Sequence, residues 1–482
     1  MPKDDLPRTG AGVTTEAQLH AAFQAQQAAF EADPVPSLWA RRDALDRLRG
    51  MLLRHTDRFI AAISDDFGQR AELETRMAEL NPTLFAIRHA RQHLGRWMRP
   101  RRVSTDIFFW PGRSRIHPQP VGVVGVISPW NYPLFLTLSP LIAALSAGNR
   151  AILKPSEFSP AFSALLHEAI ADTFSAQEVT VALGGADVAR ALTELPLDHL
   201  LFTGSTAVGR LVAQAAAKNL VPVTLELGGK SPAIIDESAD MDRALRRLVR
   251  GKLFNAGQTC IAPDYALVPR AMVDDLAARM VALGSAMAER PGDVTAIISD
   301  RHRDRLAALI EGARAVGATV QTAAPEGGAA PAPGTVPLTV VTGAPDNTPL
   351  MQEEIFGPVL PVVGYDTVDD ALRYVRARPR PLALYWFGSH TGREATVANS
   401  ALAGGITIND TLLHSVQDNL PFGGVGESGM GAYHGYHGFE TMSHMKAVFH
   451  QTRGFAGTDF LEPPLGTLAR RVMRVADWWA RR

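Results

Sequence analysis

Between residues 121 and 203 the chain repeats one pattern four times: a short apolar run, a polar turn, then a helical stretch. Residues 121–128 are β-branched and glycine-rich with no polar alternation, as in a strand buried on both faces. Pro129-Trp130-Asn131-Tyr132-Pro133 is the turn after it, and the following helix should stop at Gly148. Residues 151–153 lead into Lys154-Pro155-Ser156-Glu157, and a helix should begin near Ser159. Residues 179–183 end in Gly184-Gly185, and residues 199–203 end in Gly204-Ser205-Thr206-Ala207-Val208-Gly209, which opens a helix. Strand–turn–helix in this succession predicts an open parallel sheet covered by helices on both faces. Ligands of such sheets bind beyond the carboxyl ends of the strands, where these polar turns lie.

The flanking regions read differently. Residues 14–95 are helical, with Ser37 followed by Leu38, Leu45, Leu48, Leu52 and Leu53 at helical spacing. Residues 100–120 are arginine-rich and then aromatic, a pair of strands leaving the helical region. Past residue 228 a second α/β pattern begins, with helices expected at 240–255, 272–289 and 301–316, a strand at 265–268, and an Ala/Pro/Gly-rich loop at 323–337. Residues 446–450 read as a late strand, paired with the 100–120 excursion or with a neighbouring subunit.

A chain of 482 residues has room for two or three domains, and 46% hydrophobic with 20% charged residues suits a globular protein with a sizeable core. A net charge of −1 offers no electrostatic footprint for nucleic acid. A single cysteine cannot form an intrachain disulfide, and no Cys/His cluster has metal-ligand spacing. Met1-Pro2-Lys3-Asp4-Asp5 carries no apolar targeting core, and the apolar stretch from Tyr132 to Gly148 is broken by Pro133, Ser139, Pro140 and Ser146. These features predict a cytoplasmic protein.

That one cysteine ends Phe254-Asn255-Ala256-Gly257-Gln258-Thr259-Cys260. Alone it reads as a small buried hydrophobe. Gly257 and Gln258 place it on a tight loop, where a thiolate can act as nucleophile. Leu225-Glu226-Leu227-Gly228-Gly229-Lys230 presents a carboxylate at a strand end before a glycine turn, the partner a thiol nucleophile needs. The Gly204–Gly209 turn could bind a pyrophosphate at a helix N-terminus, though Thr206 stands where a second glycine would be and a plain β–α turn explains it equally. Lys154 and Glu157 could hold ribose hydroxyls, or could be an ion pair starting a helix. Asn131 could stabilise an oxyanion, or simply shape its turn. Glu353-Glu354-Ile355-Phe356-Gly357-Pro358 offers two carboxylates, of which only one need face a site.

Together these motifs, with Phe202-Thr203-Gly204-Ser205-Thr206 and Pro421-Phe422-Gly423-Gly424-Val425-Gly426, resemble the aldehyde dehydrogenase superfamily over residues 14–450. Ala262-Pro263-Asp264-Tyr265 and Gly431-Ala432-Tyr433-His434-Gly435 are similar to its class 3 branch. Asn409-Asp410-Thr411-Leu412-Leu413-His414 and Asp418-Asn419-Leu420-Pro421 resemble the bacterial coniferyl aldehyde dehydrogenases. The resemblance implies an α/β fold: a doubly wound parallel-sheet cofactor domain (1–104 and 121–227), an α/β catalytic domain (228–412), a small β oligomerisation element (105–120 and 413–460) and an amphipathic tail (461–482). It implies Cys260 as nucleophile, Glu226 as the base that activates water, and Asn131 with the Cys260 backbone N–H as oxyanion donors. NAD, with NADP as a second candidate, would be held by Lys154 and Glu157 at the adenosine ribose and by Gly204 and Ser205 at the pyrophosphate. Glu354 would hold the nicotinamide ribose, with Phe356, Pro129 and Trp130 nearby. The substrate would be a small aromatic or medium-chain aldehyde and the assembly a homodimer.

Tyr433, Trp386 and Phe422 are candidates for the aldehyde pocket, with core packing the simpler role for each. Two rivals remain: a coenzyme A-acylating enzyme, against which Glu226 argues, and a catalytically silent scaffold, against which the cysteine, glutamate and asparagine argue. Residues 465–482 set Leu465, Leu468, Val472, Val475 and Trp479 in a stripe among five arginines. Such a helix can lie on a membrane surface; docking on the protein itself or on a partner subunit is the preferred reading.

Overall fold

The computed structural model describes residues 12–324, 332–459 and 462–482. The reading of Met1–Asp5, and residues 325–331 of the expected 323–337 loop, lie outside the described residues.

The four predicted repeats build one parallel sheet. Its strands are ordered Val223–Leu227, His199–Gly204, Val123–Ile127, Arg150–Lys154 and Val179–Val181. The chain starts at the central Val123–Ile127, runs outward to Val179–Val181, and returns on the other side of its starting strand. A crevice therefore opens between the ends of Val123–Ile127 and His199–Gly204, where the strand order reverses. The central strand is buried along its whole length, as its lack of polar alternation requires. The helix Pro133–Ala147 is almost entirely buried, and Gly148 ends it with φ 92°. Its last carbonyls are met by a buried cation: Arg41 Nη1 donates to Ala147 O at 2.6 Å and to Ser146 O at 3.1 Å.

The second sheet has seven strands, ordered Thr319–Thr322, Thr339–Thr342, Val359–Tyr365, Tyr265–Pro269, Pro232–Ile235, Ala383–Phe387 and Gly405–Ile408, all parallel except the first. The helices predicted around it are Met241–Leu253, Val273–Met287 and Asp300–Ala315. A third, antiparallel sheet joins Arg101–Val103, Arg113–Pro120 and Ser443–His450. The late strand thus pairs with the 100–120 excursion of its own chain.

Three expectations need correction. The small β element begins with Arg101–Val103, ahead of the expected residue 105. Within the segment assigned to that element, Gly429–Met430 instead adds antiparallel to the outer edge of the first sheet, opposite Glu226 and Leu225. Gly429, at φ 142°, leaves the room in which Leu225 O approaches. Of the two docking readings of the tail, the one on the chain's own body is not met, which leaves the partner subunit: in Thr467–Ala480, Leu468, Val475 and Trp479 are exposed and only Ala469 is buried. Among the described residues no helix is long and apolar enough to cross a membrane.

Candidate active site

The Cys260 loop is held in an unusual backbone shape. Asn255, Ala256 and Gly257 are all left-handed, at φ 52°, 51° and 72°. Two consecutive non-glycine residues there cost strain that the surroundings must offset. Asn255 Nδ2 donates to Asn131 O at 3.0 Å and to Gln258 O at 3.1 Å, and its backbone N–H donates to Glu74. Gln258 is pinned at both ends of its amide, donating to Asn255 O and Ala296 O and accepting from Ile298 N at 3.0 Å. Asn131 Nδ2 donates to Gln258 O at 3.1 Å, which uses one of its two hydrogens, while Oδ1 has no partner. The Tyr132 hydroxyl shares a 2.6 Å hydrogen bond with Thr259 Oγ1. The turns holding Asn131 and Cys260 are therefore joined by direct hydrogen bonds.

Three acidic groups meet here. Burial pushes the Cys260 thiol up, and the charges of Glu354 and Glu226 push it further; its own and Ile261's backbone N–H oppose them. Glu226, at the end of Val223–Leu227, is 2% exposed, has no partner on either oxygen, and is raised well above the usual carboxylate range by burial. Burial and then the charge of Asp264 raise Glu354 to about 8, against the N–H of Gly229. Its Oε1 is also without a partner. A side chain on Gly228 would overlap its carboxyl group. Glu353 faces outward, paired with Arg305 at 3.2 Å. Of the adjacent pair, then, Glu354 lies in the cleft. Phe356 packs edge-on against Trp130, ring centroids 5.4 Å apart.

At the neighbouring strand ends Lys154 is buried and donates to Glu157 at 3.0 Å. Ser205 caps the helix Thr206–Ala217, its Oγ accepting from Val208 N at 3.4 Å. Pro129 and Trp130 lie half-buried at the end of the central strand. The residues fit a dinucleotide. They comprise a buried ammonium paired with a half-buried carboxylate, a helix N-terminus at a strand end, and a partnerless carboxyl oxygen on Glu354.

On the other side, Cys260 lines a cavity of about 350 Å³ with Met77, Phe135, Phe254, Leu413 and Phe422. That volume lies within the usual range for small-molecule sites, about 300–1,000 Å³. Phe422 and Tyr433 line this cavity, and the Tyr433 hydroxyl is buried without a partner. Trp386 does not: it is fully buried in the strand Ala383–Phe387. Sequence reasoning missed Phe135, Phe254, Leu413 and His434 as lining residues. Phe254, Leu413 and His434 lie within the recognised motifs and Phe135 just beyond one, which was the available signal.

The aldehyde dehydrogenase family model matches residues 4–448. A "Probable coniferyl aldehyde dehydrogenase" of Pseudomonas aeruginosa is 46% identical over 459 residues, 95% of each chain. "Aldehyde dehydrogenase family 3 member A2" of Pongo abelii is 38% identical over 91% of this chain and 88% of its own. The solved "Substrate bound state of Staphylococcus Aureus AldH" superposes with a TM-score of 0.88 at 36% identity, over 95% of this chain and 99% of that one. With a thiol lining a cavity of small-molecule size and these relatives along nearly its whole length, the chain belongs to the aldehyde dehydrogenase family and catalyses NAD(P)-dependent aldehyde oxidation.

Proposed function

We propose that the enzyme oxidises an aromatic aldehyde of the coniferyl type, or a medium-chain aliphatic one, with NAD preferred over NADP. One observation carries this reading: Cys260 lines an apolar, aromatic-lined cavity and lies close to two buried carboxyl groups, Glu226 with no partner on either oxygen and Glu354 with none on Oε1. The thiolate of Cys260 adds to the carbonyl carbon, giving a thiohemiacetal whose oxyanion meets the free amide hydrogen of Asn131 and the Cys260 backbone N–H. The bound nicotinamide supplies the hydride acceptor. Once the carbon has lost hydride it is a thioester of Cys260. Glu226 takes a proton from water, which attacks that carbon, and the acid departs as the thiol re-forms. The sum is aldehyde, NAD⁺ and water going to carboxylic acid, NADH and a proton. Hydrolysis by Glu226 is also the reason a coenzyme A acceptor is not needed.

Lys154 and Glu157 would hold the adenosine ribose, and the Glu157 carboxylate repels a 2′-phosphate, which supports NAD. Gly204 and Ser205 would meet the pyrophosphate. Glu354, with Phe356, Pro129 and Trp130 nearby, would hold the nicotinamide ribose. Exposed Phe449 on the three-stranded sheet, and exposed Ile107, Phe108, Phe109 and Trp110 in the turn between its first two strands, support a homodimer built there. The single free thiol suits a reducing, cytoplasmic setting.

The test is NADH formation from coniferyl aldehyde, cinnamaldehyde, benzaldehyde and hexanal without coenzyme A. Turnover highest with the cinnamyl compounds is expected. No turnover with any of the four would end the proposal, and turnover only on adding coenzyme A would favour the acylating rival.

A further inference from the structure

A buried ion pair outside the recognised motifs bears on the oxyanion site. The helix that begins at Glu72–Thr75 and ends as Asn81–Trp97 contains one wider π turn, Arg76–Leu80. Pro82 accounts for it: it has no N–H to give, and its ring crowds the carbonyl four residues back. π turns of this kind recur at functional sites. Here the turn divides its side chains. Met77 and Ala78 line the aldehyde cavity, while Glu79 is turned inward and fully buried.

Each oxygen of Glu79 has a specific task. Oε1 accepts from Arg70 Nη1 at 2.7 Å, with both side chains wholly excluded from solvent. Oε2 accepts the N–H groups of Leu134 at 2.7 Å and Phe135 at 3.2 Å, free amides in the first turn of Pro133–Ala147. Arg70 Nη1 also reaches Asn131 O at 3.4 Å, and its guanidinium lies 5.1 Å from the Tyr132 ring centroid. The same Asn131 carbonyl accepts from Asn255 Nδ2. Asn131 is thus gripped on its backbone from two sides, and the helix start just beyond it is fixed by the same carboxylate.

We propose that Glu79 and Arg70 are positioning residues: the buried pair fixes the Asn131 peptide and the start of the following helix, so that the Asn131 amide is aimed at the oxyanion formed on Cys260. This rests on the reading of Asn131 as an oxyanion donor. A buried ion pair is weak evidence for stability alone, because desolvation offsets its attraction. Three further hydrogen bonds converging on one turn give this pair a directional role.

A double-mutant cycle tests it. Glu79→Gln, Asn131→Ala and the double variant are checked for an unchanged unfolding midpoint and for NADH binding by fluorescence. The value of kcat is then measured at saturating NAD and aldehyde. Glu79→Gln alone should lower kcat by about 10-fold or more while KM for NAD changes less than about 2-fold; in the Asn131→Ala background it should change kcat by less than about 2-fold, because no amide remains to be aimed. Equal losses in both backgrounds would overturn the proposal and leave Glu79 a packing element. Should Asn131→Ala alone retain kcat within about 2-fold, the oxyanion reading itself fails, a different outcome from additivity. If Glu79→Gln does not fold, Glu79→Asp, which keeps the charge but withdraws it by one methylene, takes its place in the same cycle under the same criteria.

Discussion

Glu354→Gln should make the protein more stable at neutral pH and a poorer enzyme. The Glu354 carboxyl is raised to about 8, first by burial and then by Asp264, against an ordinary 4.5 in the unfolded chain. Between those values the folded protein keeps a proton that the unfolded chain releases. Stability from this group is therefore lost as pH rises through that window, since the native state binds more protons. At pH 7 the gap of 2.5 units from 4.5 corresponds to about 3 kcal/mol at about 1.4 kcal/mol per unit. At pH 5 the same reckoning leaves about 1 kcal/mol. Glutamine is the neutral isostere and escapes this penalty, and its oxygen can still accept from Gly229 N–H. For 482 residues the unfolding entropy near the midpoint is about 1 kcal/mol/K, so the variant should melt about 3 °C higher at pH 7 and about 1 °C higher at pH 5. Differential scanning fluorimetry at the two pH values, without cofactor, measures this. An equal difference at both, or a wild type that melts higher at pH 7, would refute the protonated, desolvated carboxyl on which the calculation stands.

Four further outcomes follow from the same cleft. Cys260→Ala should abolish turnover while NADH still quenches protein fluorescence with near-native affinity; loss of both would mean the loop, and not the nucleophile, had been removed. Glu226→Gln should retain a burst of about one NADH per site followed by slow steady-state turnover, seen by stopped flow. Because burial raises both Glu226 and the Cys260 thiol, wild-type kcat should climb as pH increases above neutral, where more of the base is ionised, and a rate that falls over that range would contradict it. Glu157→Gln should raise kcat/KM for NADP relative to NAD by about 10-fold, through loss of repulsion toward a 2′-phosphate, and an unchanged ratio would place specificity elsewhere.

The strand-end turns of the first sheet were largely legible in the sequence, and the lining of the cavity was not. Strand, polar turn and helix are local signals, so Asn131, Lys154, Glu157, Gly204 and Ser205 could be assigned to strand ends from short stretches alone. Cys260 and Glu226 were legible because each sits in a motif. The aldehyde cavity takes Met77, Phe135, Phe254, Leu413 and Phe422 from five separate segments. Phe422 alone of these was a pocket candidate from the sequence; the others look like ordinary core residues until the chain is folded. The left-handed run at Asn255 and Ala256 was invisible too, since neither residue type demands it. Glu79 gave no signal because its charge is matched across nine residues, and by backbone amides that no sequence pattern marks. Gly429–Met430 was misassigned because a two-residue strand has no periodicity to read.

That short strand gives the enzyme an order of assembly. Glu226 lies on a strand whose outer neighbour is Gly429–Met430, supplied by the chain about 200 residues later. During synthesis at about 5–20 residues per second, the edge beside Glu226 stays bare for roughly 10–40 s. The cysteine, 34 positions after Glu226 in the chain, leaves the ribosome well before that edge is closed. Cys260 therefore exists before the strand bearing Glu226 is enclosed, and a nascent chain halted short of residue 430 would carry the thiol without the completed sheet.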